Sequence, residues 1–105
     1  MEKPNIDYIN KLSRNNEDIK QKFIAVLKFE LPMEIDAYYT SFQLKKWKKT
    51  AECIHKLKNK IGILGLENGY QQADEYEKNV RNSNVDLREA FEKTLNLMQC
   101  YVNSL

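Results

Sequence analysis

The sequence predicts an all-α protein: an antiparallel four-helix bundle with a short extra helix at its N-terminal end. Three observations carry this. Apolar residues recur at three- and four-residue spacing along most of the chain, with no convincing strand-like alternation. Only three glycines and two prolines interrupt it, so long helices joined by short turns follow. The 105 residues suit one domain, and two layers of helices can bury a single core at that length. Residues 1–105 are therefore read as one domain.

Pro4 can open the first helix, which carries Ile6, Ile9 and Leu12 and ends in the polar cluster Ser13-Arg14-Asn15-Asn16. Asn16 is suited to cap the second helix, with Glu17 and Asp18 favourably placed against its dipole. That helix shows Ile19, Phe23, Val26, Leu27 and Leu31 as its apolar set. Pro32 removes a backbone donor, so a kink or a break is expected there. The pattern resumes in phase with Ile35, Tyr38, Tyr39 and Phe42, giving one bent helix to about Ser41–Leu44, or two shorter ones.

A third helix starts near Lys45, with Trp47, Ala51, Ile54, Leu57, Ile61 and Leu64 on one face, and Gly65 breaks it. The fourth carries Leu66, Tyr70, Ala73, Tyr76 and Val80, and Asn82-Ser83-Asn84 forms a turn by composition. The fifth shows Leu87, Phe91, Leu95, Met98, Val102 and Leu105. Short connections between such helices favour antiparallel neighbours.

A formal net charge of +2 argues for neither a nucleic-acid nor a membrane partner. No apolar stretch approaches membrane-spanning length, and no basic, then apolar, leader opens the chain. A cytoplasmic location is the expectation. Cys53 and Cys100 lie far apart in sequence and read as two buried free thiols, in preference to a disulfide. With one histidine and two distant cysteines there are too few ligands for a zinc site.

His55 is the only histidine. At 100° per residue it falls roughly 120° from the middle of the apolar stripe of its helix, which is the solvent margin. An exposed histidine is usually idle. Its neighbours single this one out. Lys58 lies one turn on and Ala51 one turn back, and Asn59 and Gly62 share its side of the helix. A helical glycine costs roughly 1 kcal/mol relative to alanine, so Gly62 requires a reason. Close helix packing is one; a bare surface beside His55 that admits another protein's backbone is the other.

The segment from His55 to Leu66 resembles the signature of histidine-containing phosphotransfer (HPt) domains. That signature has a histidine, then an apolar residue, a lysine, a small residue and a later glycine. His55, Leu57, Lys58 and Gly65 fill four of those places, and Asn59 stands where glycine is usual. Ala73 and Glu77 suit the continuation into the next helix, whereas Gly69 and Tyr76 replace more usual leucines. The proline-interrupted second helix and a tryptophan shortly before the histidine helix extend the likeness to essentially the whole chain.

The resemblance implies a function. His55 accepts a phosphoryl group from the aspartyl phosphate of a response-regulator receiver domain and passes it to another receiver's aspartate. An imidazole ordinarily titrates at roughly pH 6.5, so a neutral nucleophilic nitrogen is present near pH 7. Phosphoryl transfer asks mainly for positioning and charge neutralisation, and Lys58 is the expected phosphate-stabilising cation. Ala51, Asn59 and Gly62 would meet the partner, with a contribution from the second helix near Tyr38 by fold analogy. Receivers, and a hybrid sensor histidine kinase, are the implied partners. The divalent metal belongs to the receiver, so no cofactor is expected in this chain, and a monomer is expected.

Seven lysines and one acid, Glu52, lie between Lys45 and Lys60. Such a run is commonly a solvated helix face. It can also steer an acidic partner, or bind a phosphate backbone with Trp47 and tyrosines stacking on bases. The last reading ranks low, because no nucleic-acid motif accompanies it. The glycines at 62, 65 and 69 follow no strand and precede no Gly-Lys-Ser/Thr, so they form no P-loop. With no ATP signature there is no basis for autokinase activity. Two further readings remain: a non-catalytic adaptor with the same fold that binds receivers without transfer, and a basic nucleic-acid binder.

Overall fold

Five helices and no strand make up the described residues, 2–105, of the computed structural model. They are α1 (Asp7–Ser13), α2 (Glu17–Gln43), α3 (Trp47–Ile63), α4 (Glu67–Val80) and α5 (Arg88–Asn103). Several boundaries have an identifiable cause. The Asn5 side chain accepts the Asp7 amide (3.1 Å), and the Asn5 amide donates to the Leu64 carbonyl (2.9 Å). Residues before α1 are therefore tied across the fold, and α1 starts at Asp7 rather than at Pro4. Arg14 and Asn15 then take left-handed conformations that end it, as the polar cluster there anticipates.

Asn16 caps α2 through its side chain, which accepts the Ile19 amide at 3.2 Å. The helix runs unbroken through Pro32, so one helix forms and not two. Pro32 itself is exposed, and the buried Leu31 and Tyr38 on either side hold the chain to the core. Packing outweighs a local helix penalty of about 3 kcal/mol.

At the end of α3 the Leu66 amide donates to the Ile61 carbonyl and the Gly65 amide to that of Gly62. This pairing needs a left-handed residue, and Gly65 supplies it at φ 78°. Gly69 is buried where α4 meets α5; a Cβ there would come within 3.1 Å of Thr94 Cγ2. The carboxylate of Glu2 accepts the Asn68 and Gly69 amides (3.0 and 2.8 Å), satisfying the first turn of α4 from a distant part of the chain.

The helices α2 and α4 each pack against both α3 and α5, and α1 packs on α2. They share one core built around Leu27, Leu31, Ile54, Leu57, Ile61, Tyr76, Phe91 and Leu95. The long axis, 43 Å, matches the roughly 40 Å length of α2. Among the described residues no helix is long and apolar enough to cross a membrane.

Several expectations are corrected. Leu27 and Leu31 are buried, but Ile19, Phe23 and Val26 are exposed, and Ile24 takes their place in the core. α2 is apolar on two faces, and periodicity does not say which of them finds a neighbour. Tyr70 is likewise exposed, and Trp47 is only partly buried, edge-on to Phe42. Cys53 is buried, but Cys100 is exposed; both are free thiols.

Candidate functional site

His55 sits in the middle of α3, with 56% of its side chain exposed, where the helical geometry puts it. Its Nδ1 lies 3.2 Å from Glu77 Oε1 on α4. The same carboxylate oxygen is 3.0 Å from Lys58 Nζ. A carboxylate paired with a lysine offers only acceptors, so the His55 Nδ1 carries the proton in this contact. The ring's other nitrogen, Nε2, is then the one with a free lone pair.

The cluster extends along α4. Lys58 Nζ also donates to Asp74 Oδ1 at 3.1 Å, and Asp74 Oδ2 is 3.2 Å from Lys78 Nζ. Arg81 Nη2 stands 3.9 Å from the second oxygen of Glu77. Asp74, Glu77 and Arg81 recur at helical spacing, so one flank of α4 faces the His55 side of α3. Burial works against the charge of Lys58, but the hydrogen bonds it donates to Glu77 and Asp74 outweigh it and raise the pKa above the ordinary lysine value. Its hydrogen bonds with Lys58 and Lys78 hold the Asp74 carboxyl below its ordinary value.

Lys58 differs from the expectation of a mobile surface cation. Its side chain is 9% exposed and held by two carboxylates. Because it meets the Glu77 oxygen that also meets Nδ1, it lies on the Nδ1 side of the imidazole. His55 also lines a recess of about 440 Å³ together with Glu52, Lys56, Glu77 and Arg81. Lys56 and Arg81 are the exposed cations there.

Asn59 and Gly62 are exposed beside His55, as their spacing anticipates. Ala51 is not: it is fully buried and belongs to the core, so it cannot contact a partner. Position 51 flanks both the apolar stripe and the His55 line, and the core takes it. Gly62 leaves room for Tyr70, whose ring would touch a Cβ there at 3.3 Å. Packing therefore accounts for that glycine, which is also exposed.

Tyr38 is also buried, which removes it from any docking surface. Its hydroxyl is 2.8 Å from that of Tyr76 and 2.9 Å from Glu92 Oε2. Since the carboxylate only accepts, Tyr38 donates to Glu92 and Tyr76 donates to Tyr38. Burial, then the contacts with Tyr76 and Glu92, push the Tyr38 hydroxyl far above its ordinary pKa. Burial does the same, more mildly, to Tyr76. Arg88 Nε pairs with Glu92 Oε2 at 2.7 Å and its guanidinium covers the Phe42 ring.

The lysine run divides. Lys58 is internal, and Lys60 is tied to Glu30 and Glu34 of α2 at 3.2 and 2.8 Å. Lys46, Lys48 and Lys49 remain solvated around Trp47 and Glu52. A cavity of about 590 Å³ lies between α4 and α5 near Leu66, Leu97 and Cys100, and shares no residue with the His55 recess.

Sequence reasoning missed Asp74 and Arg81 as members of the cluster, and reached Glu77 only through resemblance. The one signal for them was that all three flank the Ala73–Tyr76–Val80 core stripe of α4. Compared with protein-family models, with curated proteins and with solved structures, the chain matches none.

Proposed function

We propose that this chain is a phosphorelay intermediate: an antiparallel four-helix bundle of HPt type whose His55 carries a phosphoryl group between receiver domains. The observation that supports it is the His55–Glu77 pair. A carboxylate fixes the proton on Nδ1 of a half-exposed imidazole and leaves Nε2 open to a partner.

In the forward step the Nε2 lone pair forms the N–P bond as the bond from phosphorus to the receiver's aspartyl oxygen breaks. Aspartate leaves as a carboxylate, and the ring keeps its Nδ1 proton and takes on positive charge. Glu77 stabilises that charge as it develops. In the second step another receiver's aspartate attacks phosphorus, and Nε2 recovers its lone pair. The divalent metal acts on the receiver, and this chain needs no cofactor. Asn59 and Gly62 border the contact, and a hybrid sensor histidine kinase is the source of phosphate upstream. Lys58 serves as a positioning residue: it orients Glu77, and it reaches a phosphoryl group only by leaving its carboxylates.

That last feature favours a second reading, a non-catalytic adaptor that binds receivers without transfer. A lysine already neutralised by Asp74 and Glu77 offers little to a phosphate.

The deciding experiment incubates the chain with a receiver pre-phosphorylated by a small phosphodonor. Label that survives alkali, is lost in acid and is absent from His55→Gln is the result expected of transfer. Binding without label from every receiver tried selects the adaptor, and neither binding nor label removes both readings.

A further inference from the structure

Among the described residues, the outer face of the first half of α2 is left largely uncovered. Ile19, Phe23, Val26, Phe29 and Met33 are 41, 40, 52, 70 and 58% exposed, and they lie together on the side of the helix away from the buried Ile24, Leu27 and Leu31. The stripe is about 21 Å long. In a chain that is 30% charged, this face carries only Lys22 and Glu30. Glu30 already lies 3.2 Å from Lys60 Nζ.

The order of residues along the face is symmetric about Val26. Phe23 and Phe29 stand three residues to either side, Lys22 and Glu30 four, and Ile19 and Met33 seven. We propose that this face is the interface of a two-fold dimer, in which α2 packs antiparallel against α2 of a second copy with Val26 on the axis.

A two-fold interface must be self-complementary, because each residue meets the residue related to it by the same axis. Around Val26 that condition is met. Phe23 comes level with the second copy's Phe29 and Ile19 with Met33, so apolar layers fill, while the two Lys22 side chains lie along one margin and the two Glu30 side chains along the other. An acidic or basic partner would find little to pair with on this face. The five side chains expose on the order of 500 Å² per copy, a patch at the upper end for a monomer. Two copies together bury roughly 1,000 Å², which is the lower limit for a specific interface. The dimer is therefore concentration-dependent rather than permanent. It is independent of the phosphotransfer reading.

The test is sedimentation equilibrium on the full chain over a wide concentration range. The mass should rise from 12.5 kDa toward twice that value. Phe29→Glu should move the transition to at least about tenfold higher concentration. Met33→Glu should act in the same direction, while Leu44→Glu, exposed on the same side but about 17 Å beyond the end of the stripe, should leave it unchanged. Circular dichroism checks that each variant keeps its helices. In a Cys100→Ser background, Val26→Cys should form an interchain disulfide far faster than Leu44→Cys. A wild-type chain that stays monomeric throughout, folded stripe variants that dimerise like wild type, or equal cross-linking at positions 26 and 44 would each overturn the proposal.

Discussion

Two polar clusters, each anchored by a glutamate, lie at different depths in this molecule. In one, Glu77 holds His55 and Lys58 at the surface of α3 and α4. In the other, Glu92 holds Tyr38, which in turn accepts from Tyr76 in the core beside Phe91. The tyrosine cluster satisfies its hydroxyls internally and leaves no edge free. The histidine cluster pairs one ring nitrogen and leaves the half-exposed ring bordering a recess. Of the two, only the histidine cluster borders a solvent-exposed titratable ring, and the sequence pointed to Tyr38 only as part of a docking surface. Depth, more than residue type, separates the two.

The largest expected effect breaks the buried cluster. Tyr38→Ala removes a fully buried ring packed on Phe42, Tyr76 and Phe91, and should cost about 3–5 kcal/mol in urea unfolding. Tyr38→Phe should cost about 1–3 kcal/mol by leaving Tyr76 and Glu92 without their partner. His55→Gln, at the exposed cluster, should stay within about 0.5 kcal/mol of wild type. A His55 variant that unfolds like Tyr38→Ala would erase the distinction.

Lys58→Ala lies between these extremes, since it strips a nearly buried cation from two carboxylates. A loss of about 1–3 kcal/mol is expected, with slower but not abolished transfer to His55. An unchanged transfer rate would take Lys58 out of the site.

Glu77→Gln sharpens the comparison at the ring itself. In wild type, nitrogen-correlated proton NMR of the neutral imidazole should show the Nδ1–H form dominant. The variant should lose that dominance and slow transfer by roughly tenfold to a hundredfold, as loss of an orienting partner does at other histidine sites. Slower transfer with an unchanged tautomer would mean that Glu77 acts through Lys58 alone.

The two clusters also respond at opposite ends of the pH scale. Tyr38 and Tyr76 are held above their ordinary pKa, so their contribution to stability is full below about pH 10 and declines as pH rises further. Their phenolate absorbance should appear only together with loss of helix. Asp74 is held below its ordinary value, so its tie to Lys58 is present above about pH 4 and is lost as pH falls through the lowered value. Asp74→Asn should therefore unfold with a slightly weaker dependence on acid than wild type, the smallest change of the series.

α5 was legible because it has one apolar stripe. Phe91, Leu95, Met98 and Val102 alternate with polar residues, and all four are buried. α2 was only half legible because it has two such stripes, and Phe23 and Val26 obey helical spacing as well as Leu27 and Leu31 do. His55 was found because it is unique and falls off the stripe of its own helix. Glu77 is 22 residues away on another helix, beyond the reach of any periodicity argument. Ala51 and Lys58 flank the His55 line on the side that α4 covers, so a rotation read from α3 alone left them outside.

The sequence by itself determined that the protein is helical, where most of its helices begin and end, and that a single histidine faces outward from the third. Those features depend on neighbours within a few residues: caps such as Asn16, a left-handed glycine at Gly65, and apolar spacing within one helix. Only the tertiary structure decided which apolar face of α2 is core, that Tyr38 is interior, and that Lys58 is spoken for by Asp74 and Glu77. Each of those depends on the rotation of one helix against another, which the summed packing of the whole core selects and no local segment encodes.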